Sequence, residues 1–192
     1  LNNLGLLYKK GMGIKQDYSK AKEYYEKAIE LGDLEALVDL GYFYLNGCGV
    51  QQDYSMAIEL YEKAENLGSS TASLNLGIVY QKGFGVKQDY SKSREYYEKS
   101  VKLGNFNALY NLGFMYELGL GVDQDYTKAK ECYEKASSIN SDAMTRLGFL
   151  YEFGKGVDQD YSKAKECYEK ASNESSDAMN RLGFLYEFGK GV

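Results

Sequence analysis

The sequence has no proline and no histidine, only three cysteines, and no long apolar run. Each shortage excludes something. Without proline, the strongest breaker of helix interiors is missing. Without histidine, the commonest general base and metal ligand is missing. An odd number of thiols suits a reducing compartment better than a disulfide framework. No stretch reaches the roughly 18 apolar residues of a membrane span, and no basic-then-apolar leader is present. The expected compartment is therefore the cytoplasm, with no direct insertion into a membrane. The 23 basic and 28 acidic residues leave a net charge of −5, and both halves of the chain are mildly acidic. Nucleic acid demands a positive stripe, so it is not an expected partner.

What the chain does have is one sentence repeated. Leu-Gly recurs at Leu4-Gly5, Leu40-Gly41, Leu76-Gly77, Leu112-Gly113, Leu147-Gly148 and Leu182-Gly183, in steps of 36, 36, 36, 35 and 35 residues. Asp-Tyr follows at Asp17, Asp53, Asp89, Asp125 and Asp160. A fixed period of this size marks a repeat architecture in which each unit buries its apolar face only against its neighbours. The units run 1–32, 33–68, 69–104, 105–140, 141–175 and, in part, 176–192. Leu1 aligns with Leu37 and Val192 with Val157, so the chain is expected to be a piece of a longer array. Cys132 and Cys167 share one repeat position, where other units have Tyr24, Leu60 and Tyr96, and Cys48 lies in a loop. All three read as packing thiols and not as metal ligands.

Within a unit, Ala36, Leu40 and Tyr44 recur at helical spacing and predict a first helix, A, over Leu34 to Asn46. Gly47 closes it, and the loop Gly-Cys-Gly-Val follows, with the Val expected to plug the core. A second helix, B, opens at the capping residue Asp53, buries Ala57, Tyr61 and Ala64, and ends at Gly68. The last two turns between units, around Ser138–Asn140 and Asn173–Ser175, have lost one residue and their glycine, so a change of angle between neighbours is expected there. A glycine inside helix A costs up to about 1 kcal/mol relative to alanine. The expected reason is a close crossing of helix B, faced by the small residues at 21, 57, 93, 129 and 164. Glu-to-Lys pairs four apart on each helix B mark a solvated face.

These residues resemble the Sel1-like repeat, a relative of the tetratricopeptide repeat. Ala36, Leu40-Gly41, Tyr44, Gly47, Gly49, Val50, Asp53-Tyr54, Ala57, Tyr61 and Ala64 carry the match, which runs through every unit. The double-glycine loop separates it from the ordinary tetratricopeptide unit. Ser93 and Ser100 depart from the pattern, where alanine is expected. The resemblance implies an all-α, right-handed α/α solenoid superhelix of antiparallel helix pairs. It implies a scaffold or adaptor of signalling or protein quality control, with the A helices lining a concave face.

On that basis Leu6, Tyr42, Ile78, Phe114, Phe149 and Phe184 look inward. One turn to either side lie Val38, Leu74, Tyr110, Thr145 and Asn180, and Leu45, Gln81, Glu117, Glu152 and Glu187. Their identities change between units while the framework does not. The aromatic row serves either as a ligand groove or as packing between units. Gln81, Glu117 and Glu152 are expected at the surface, so that lysine there would abolish binding without loss of helicity.

Enzyme-like motifs fail on context. Ser19-x-x-Lys22 and Ser162-x-x-Lys165 lack the companion motifs of penicillin-recognising enzymes. The Asp158–Glu169 stretch has lysine where a calcium loop needs glycine. The segment from Gly148 to Gly156 misfits a phosphate loop. Cysteine-rich relatives linked to β-lactam binding carry a cysteine pair per repeat, which this chain lacks. No cofactor or metal is expected. The expected function is a non-enzymatic scaffold that grips a protein or peptide partner. The expected state is a monomer, with open repeat ends available for self-association. The alternatives are the regulatory arm of a larger enzyme such as a kinase, and a membrane-tethered quality-control adaptor. For the last, the one local sign is the glycosylation sequon Asn173-Glu-Ser175.

Overall fold

The structure is a computed structural model that describes residues 1–191. Among these, eleven α-helices follow one another: α1 (Asn2–Lys10), α2 (Tyr18–Glu30), α3 (Leu34–Asn46), α4 (Tyr54–Asn66), α5 (Ser70–Lys82), α6 (Tyr90–Lys102), α7 (Ala108–Leu118), α8 (Tyr126–Ala136), α9 (Ser141–Phe153), α10 (Tyr161–Ala171) and α11 (Ser176–Glu187). Odd helices are the A helices and even ones the B helices, in sequential antiparallel pairs. They form two compact units, Leu1–Asn105 and Phe106–Val192.

Nine of these helices start at a capping side chain. The Asp53 carboxylate accepts a hydrogen bond from the Met56 backbone N–H at 3.0 Å, and Asp17, Asp89, Asp125 and Asp160 cap α2, α6, α8 and α10 alike. Such a cap satisfies one of the free N–H groups of the first turn. Gly47 closes α3 at φ +68°, with its N–H on the Phe43 carbonyl. In the loop beyond, Gly49 has φ +67° and lies against the Cβ of Tyr18 in the previous repeat, so a side chain there meets both strain and a collision.

The loop is held by a residue the sequence reading passed over. Gln52 donates from Nε2 to the Leu45 carbonyl at 2.8 Å, satisfying an orphan at the end of α3. Gln16, Gln88, Gln124 and Gln159 repeat this latch and also donate to Tyr18, Tyr90, Tyr126 and Tyr161 hydroxyls. The expected hydrophobic plug is only partial: Val50 is half-buried and Ile14 exposed.

The apolar layers join each even helix to its odd neighbours, as nearest-neighbour stabilisation requires: Ala57, Tyr61 and Ala64 of α4 pack with Leu37 and Val38 of α3 and with Ala72, Leu76 and Val79 of α5. Ala21, Tyr25 and Ala28 of α2 pack with Ala36, Leu40 and Phe43 of α3. Ala164, Tyr168 and Ala171 of α10 do the same with Ala178 and Leu185 of α11. The residue lost from the last two turns is absorbed by shorter even helices: α8 and α10 have 11 residues, against 13 for α2, α4 and α6.

The Leu-Gly glycine is needed for close approach, but the group that faces it is not the small residue expected. A Cβ on Gly113 would lie 2.6 Å from Cε1 of Tyr133, and one on Gly41 2.6 Å from Cε1 of Tyr61. Gly148 meets Tyr168 in the same way. The alanines at 21, 57, 129 and 164 allow that approach, while the tyrosine ring occupies the space. Gly183 has no even helix after it among the described residues, and nothing lies within 4 Å of its Cβ position.

Gly113→Ala is expected to destabilise the protein by about 1–3 kcal/mol through overpacking. Gly183→Ala, in open helix, should stabilise it by up to about 1 kcal/mol. Urea denaturation of both variants checks this; equal and opposite outcomes from those stated would refute the close approach. The caps give a second expectation. The backbone N–H groups of Lys128 and Lys163 hold the carboxyls of Asp125 and Asp160 below their usual value of 3.8. A lowered folded value means stability that is present above about pH 4 and lost as pH falls through that folded value. Asp125→Ala with Asp160→Ala should flatten the acid limb of a stability-against-pH curve; an unchanged limb assigns acid unfolding to other groups.

Candidate protein-binding face

At roughly 100° per residue, one side of each odd helix is left open to solvent. In α9 that side holds Asp142, Thr145, Arg146, Phe149 and Phe153, whereas Ala143, Leu147, Gly148, Leu150 and Glu152 are buried. The row directly after Leu-Gly does reach this side. Tyr42 and Phe184 are exposed, and Leu6, Ile78, Phe114 and Phe149 are half-buried. In the flanking row Leu74, Tyr110 and Thr145 are half-buried, Asn180 is exposed, and Val38 is inside.

Two further rows belong to this face and were missed. One is Asn46, Lys82, Leu118, Phe153 and Phe188, all exposed. The other is Asp39, Asn75, Asn111, Arg146 and Arg181, all half-buried. Both were legible: positions four residues past the aromatic row and three before it share its face of the helix.

The third expected row is a correction. Glu117 and Glu152 are 4 % and 3 % exposed and form no reading surface. Each carboxylate accepts a hydrogen bond from the buried tyrosine of its own even helix, Tyr133 to Glu117 at 2.6 Å and Tyr168 to Glu152 at 2.7 Å. Each also pairs with an arginine of the next odd helix, Arg146 with Glu117 at 3.3 Å and Arg181 with Glu152 at 3.6 Å. The carboxylates thus tie one repeat to the next. Burial pushes the Tyr133 and Tyr168 hydroxyls well above their usual range, and the facing carboxylates add to it, so both remain donors. Gln81 is half-buried and accepts from Tyr97 at 2.6 Å. Leu45 occupies the same position and cannot accept, and the Tyr61 hydroxyl is buried without a partner. Glu187 is exposed, with no next repeat beside it among the described residues.

Arginine also dresses the open face. Arg146 stands over the Phe114 ring at 5.4 Å, and Arg181 over Phe149 and Phe153 at 5.5 Å each. A shallow cleft of about 250 Å³, lined by Thr145, Arg146, Phe149, Asn180 and Arg181 among others, opens between α9 and α11. Among the described residues no cluster of metal-ligating side chains occurs and no helix is long and apolar enough to cross a membrane. Burial pushes the Cys132 and Cys167 thiols up to about 11, which keeps them protonated and unreactive. In the sequon, Asn173 is exposed, but the Ser175 hydroxyl is buried in the cap of α11, accepting from the Ala178 N–H and from Thr145.

With this geometry in place, the kinship can be stated. The Sel1 repeat matches residues 1–33, 34–69, 70–105, 107–140, 141–176 and 176–192. The chain belongs to the Sel1 repeat family. A comparison with curated proteins finds no match. Among solved structures, a Sel1 repeat protein from Oxalobacter formigenes is 32% identical, with a TM-score of 0.89 over 96% of this chain and 76% of its own. A protective antigen of uropathogenic Escherichia coli displaying an SLR fold is 34% identical, with a TM-score of 0.84 over 98% of this chain. This chain spans only 41% of that antigen. An immunity protein from Pseudomonas aeruginosa is 25% identical, with a TM-score of 0.62 over 89% of this chain and 66% of its own. The Sel1 repeat scaffold is thus the fold of this protein.

The tyrosine hydroxyls give the sharpest check on the buried carboxylates. Tyr133→Phe removes a hydrogen bond to a charged group and is expected to cost about 1.5–3 kcal/mol. Tyr61→Phe removes a hydroxyl that makes none and should be neutral or slightly stabilising. Thermal melts compare the two; equal effects would mean that Glu117 contributes nothing through Tyr133. Lysine at 117 or 152 is accordingly expected to lower the melting temperature, not to leave the fold untouched.

Proposed function

We propose that this Sel1 repeat protein is a non-enzymatic scaffold that holds a segment of a protein partner on the open face of its odd helices. One observation carries the reading. Along that face residues differ from repeat to repeat, as with Leu6, Tyr42, Ile78 and Phe114 in one row and Leu74, Tyr110, Thr145 and Asn180 in another, while the buried tyrosine and the Leu-Gly pair are constant. Packing alone explains the constant set. A varied row on a repeated frame is what graded recognition of a partner needs, through many shallow contacts that add up. A related structure is named an immunity protein, which supports a protein as the class of partner. The unpaired state of all three cysteines supports a reducing compartment, and the cytoplasm is the proposed one.

Amide hydrogen exchange on the chain, with and without a partner captured from the native host, tests the reading. Protection is expected on α3, α5, α7, α9 or α11. Protection confined to the even helices, or none at saturating partner, would overturn it.

A further inference from the structure

Within the second compact unit the open face differs in kind from that of the first. Two apolar residues, four apart, stand on it along every odd helix or at its C-cap: Phe114 and Leu118, Phe149 and Phe153, Phe184 and Phe188. The rings of Phe149 and Phe153 are 4.6 Å apart and those of Phe184 and Phe188 4.5 Å, so each pair forms one aromatic knob. Phe153 is 46% exposed and Phe188 57%. In the first unit the same places hold Leu6 with Lys10, Tyr42 with Asn46, and Ile78 with Lys82, never two apolar side chains.

The loops add charge to this strip. At the residue between the two loop glycines, earlier repeats have Met12, Cys48, Phe84 and Leu120, and the last two have Lys155 and Lys190. Lys155 stands over Phe149 at 5.1 Å and Tyr126 at 5.2 Å, and Lys190 over Tyr161 at 4.8 Å and Phe184 at 5.7 Å. Among the described residues neither lysine forms a salt bridge. Arg146 and Arg181, by contrast, are already neutralised by Glu117 and Glu152. The face also carries acid. Asp142 and Asp177 sit in the first turns of α9 and α11, and eleven residues at about 1.5 Å each separate Asp142 from Phe153 by roughly 16 Å. The strip therefore has an aromatic middle and a basic end.

We infer that this strip docks a peptide segment that carries both apolar and acidic side chains; the inference rests on the reading of the open face as the partner surface. The apolar side chains cover the knobs at Phe153 and Phe188, and the carboxylates meet Lys155 and Lys190. Side chains on one face of an extended chain recur every second residue, about 6.6 Å apart.

The test is selection of a displayed library of random 12-residue peptides on the 192-residue chain, followed by fluorescence anisotropy of the selected peptides. They are expected to be enriched in Asp or Glu together with Leu, Ile or Phe, and to bind more weakly as salt rises. Lys155→Glu with Lys190→Glu, and separately Phe153→Ser with Phe188→Ser, should each weaken binding at least about tenfold at unchanged melting temperature. Lys10→Glu with Lys82→Glu, on the first unit's face, should not. Peptides that bind without acidic bias, or that ignore the substitutions at 153, 155, 188 and 190, overturn the strip and leave the scaffold reading standing. A library that yields no binder overturns both.

Discussion

One contact governs this protein: the ring of a tyrosine in each even helix against the Leu-Gly glycine of the odd helix before it. All five of these tyrosines, Tyr25, Tyr61, Tyr97, Tyr133 and Tyr168, are completely buried. The contact explains why a poor helix former persists mid-helix, since any side chain there would occupy the ring's space. It also aims the hydroxyl at the residue four past the glycine. Where that residue is Glu117 or Glu152, the hydroxyl holds a carboxylate in place, and the carboxylate in turn holds an arginine of the next repeat. Packing inside a pair thus becomes linkage between pairs.

That chain of consequence also shows what could be read beforehand and what could not. The helices, caps and closing glycines were legible because each is local: a carboxylate binds an N–H three residues on, and a glycine ends the helix it follows. The period of Leu-Gly gave the arrangement in pairs. The face was harder, because neighbouring positions on a helix differ by small rotations. Glu117 and Glu152 are polar and lie only about 60° from Phe114 and Phe149 around the helix, so polarity suggested surface. Yet each stands sixteen residues before a tyrosine that has to place its hydroxyl somewhere, and that spacing was in the sequence all along. The arginine that completes the set comes from another repeat, and no local rule points to it. The Gln52 latch escaped notice for the opposite reason, as a common polar residue in a loop that glycine and aspartate already seemed to account for.

The two ends of the odd helices play different parts. The first turns of α3, α5, α9 and α11 are fixed by capping side chains and tolerate little freedom of placement. The last turns of the odd helices, with the loops that follow, hold the residues that vary most in character, from Met12 and Cys48 to Lys155 and Lys190. A repeat protein can change its surface there without disturbing the buried tyrosine, because each loop is anchored by its own glycines and glutamine latch. Variation is channelled to where it costs least stability.

The ion pairs between successive odd helices run in opposite senses. In the first unit the earlier helix supplies the cation, Lys9, and the later one the anion, Asp39, at 3.0 Å. In the second unit the earlier helices supply Glu117 and Glu152, and the later ones the arginines. Duplication or recombination within such a gene would therefore not yield interchangeable modules. A repeat bearing Asp39 set after one bearing Glu117 would bring two carboxylates together, and one bearing Arg146 set after Lys9 would bring two cations together. The order of the repeats is written into their joints, and an array shuffled by unequal crossing-over would carry like charges at its seams.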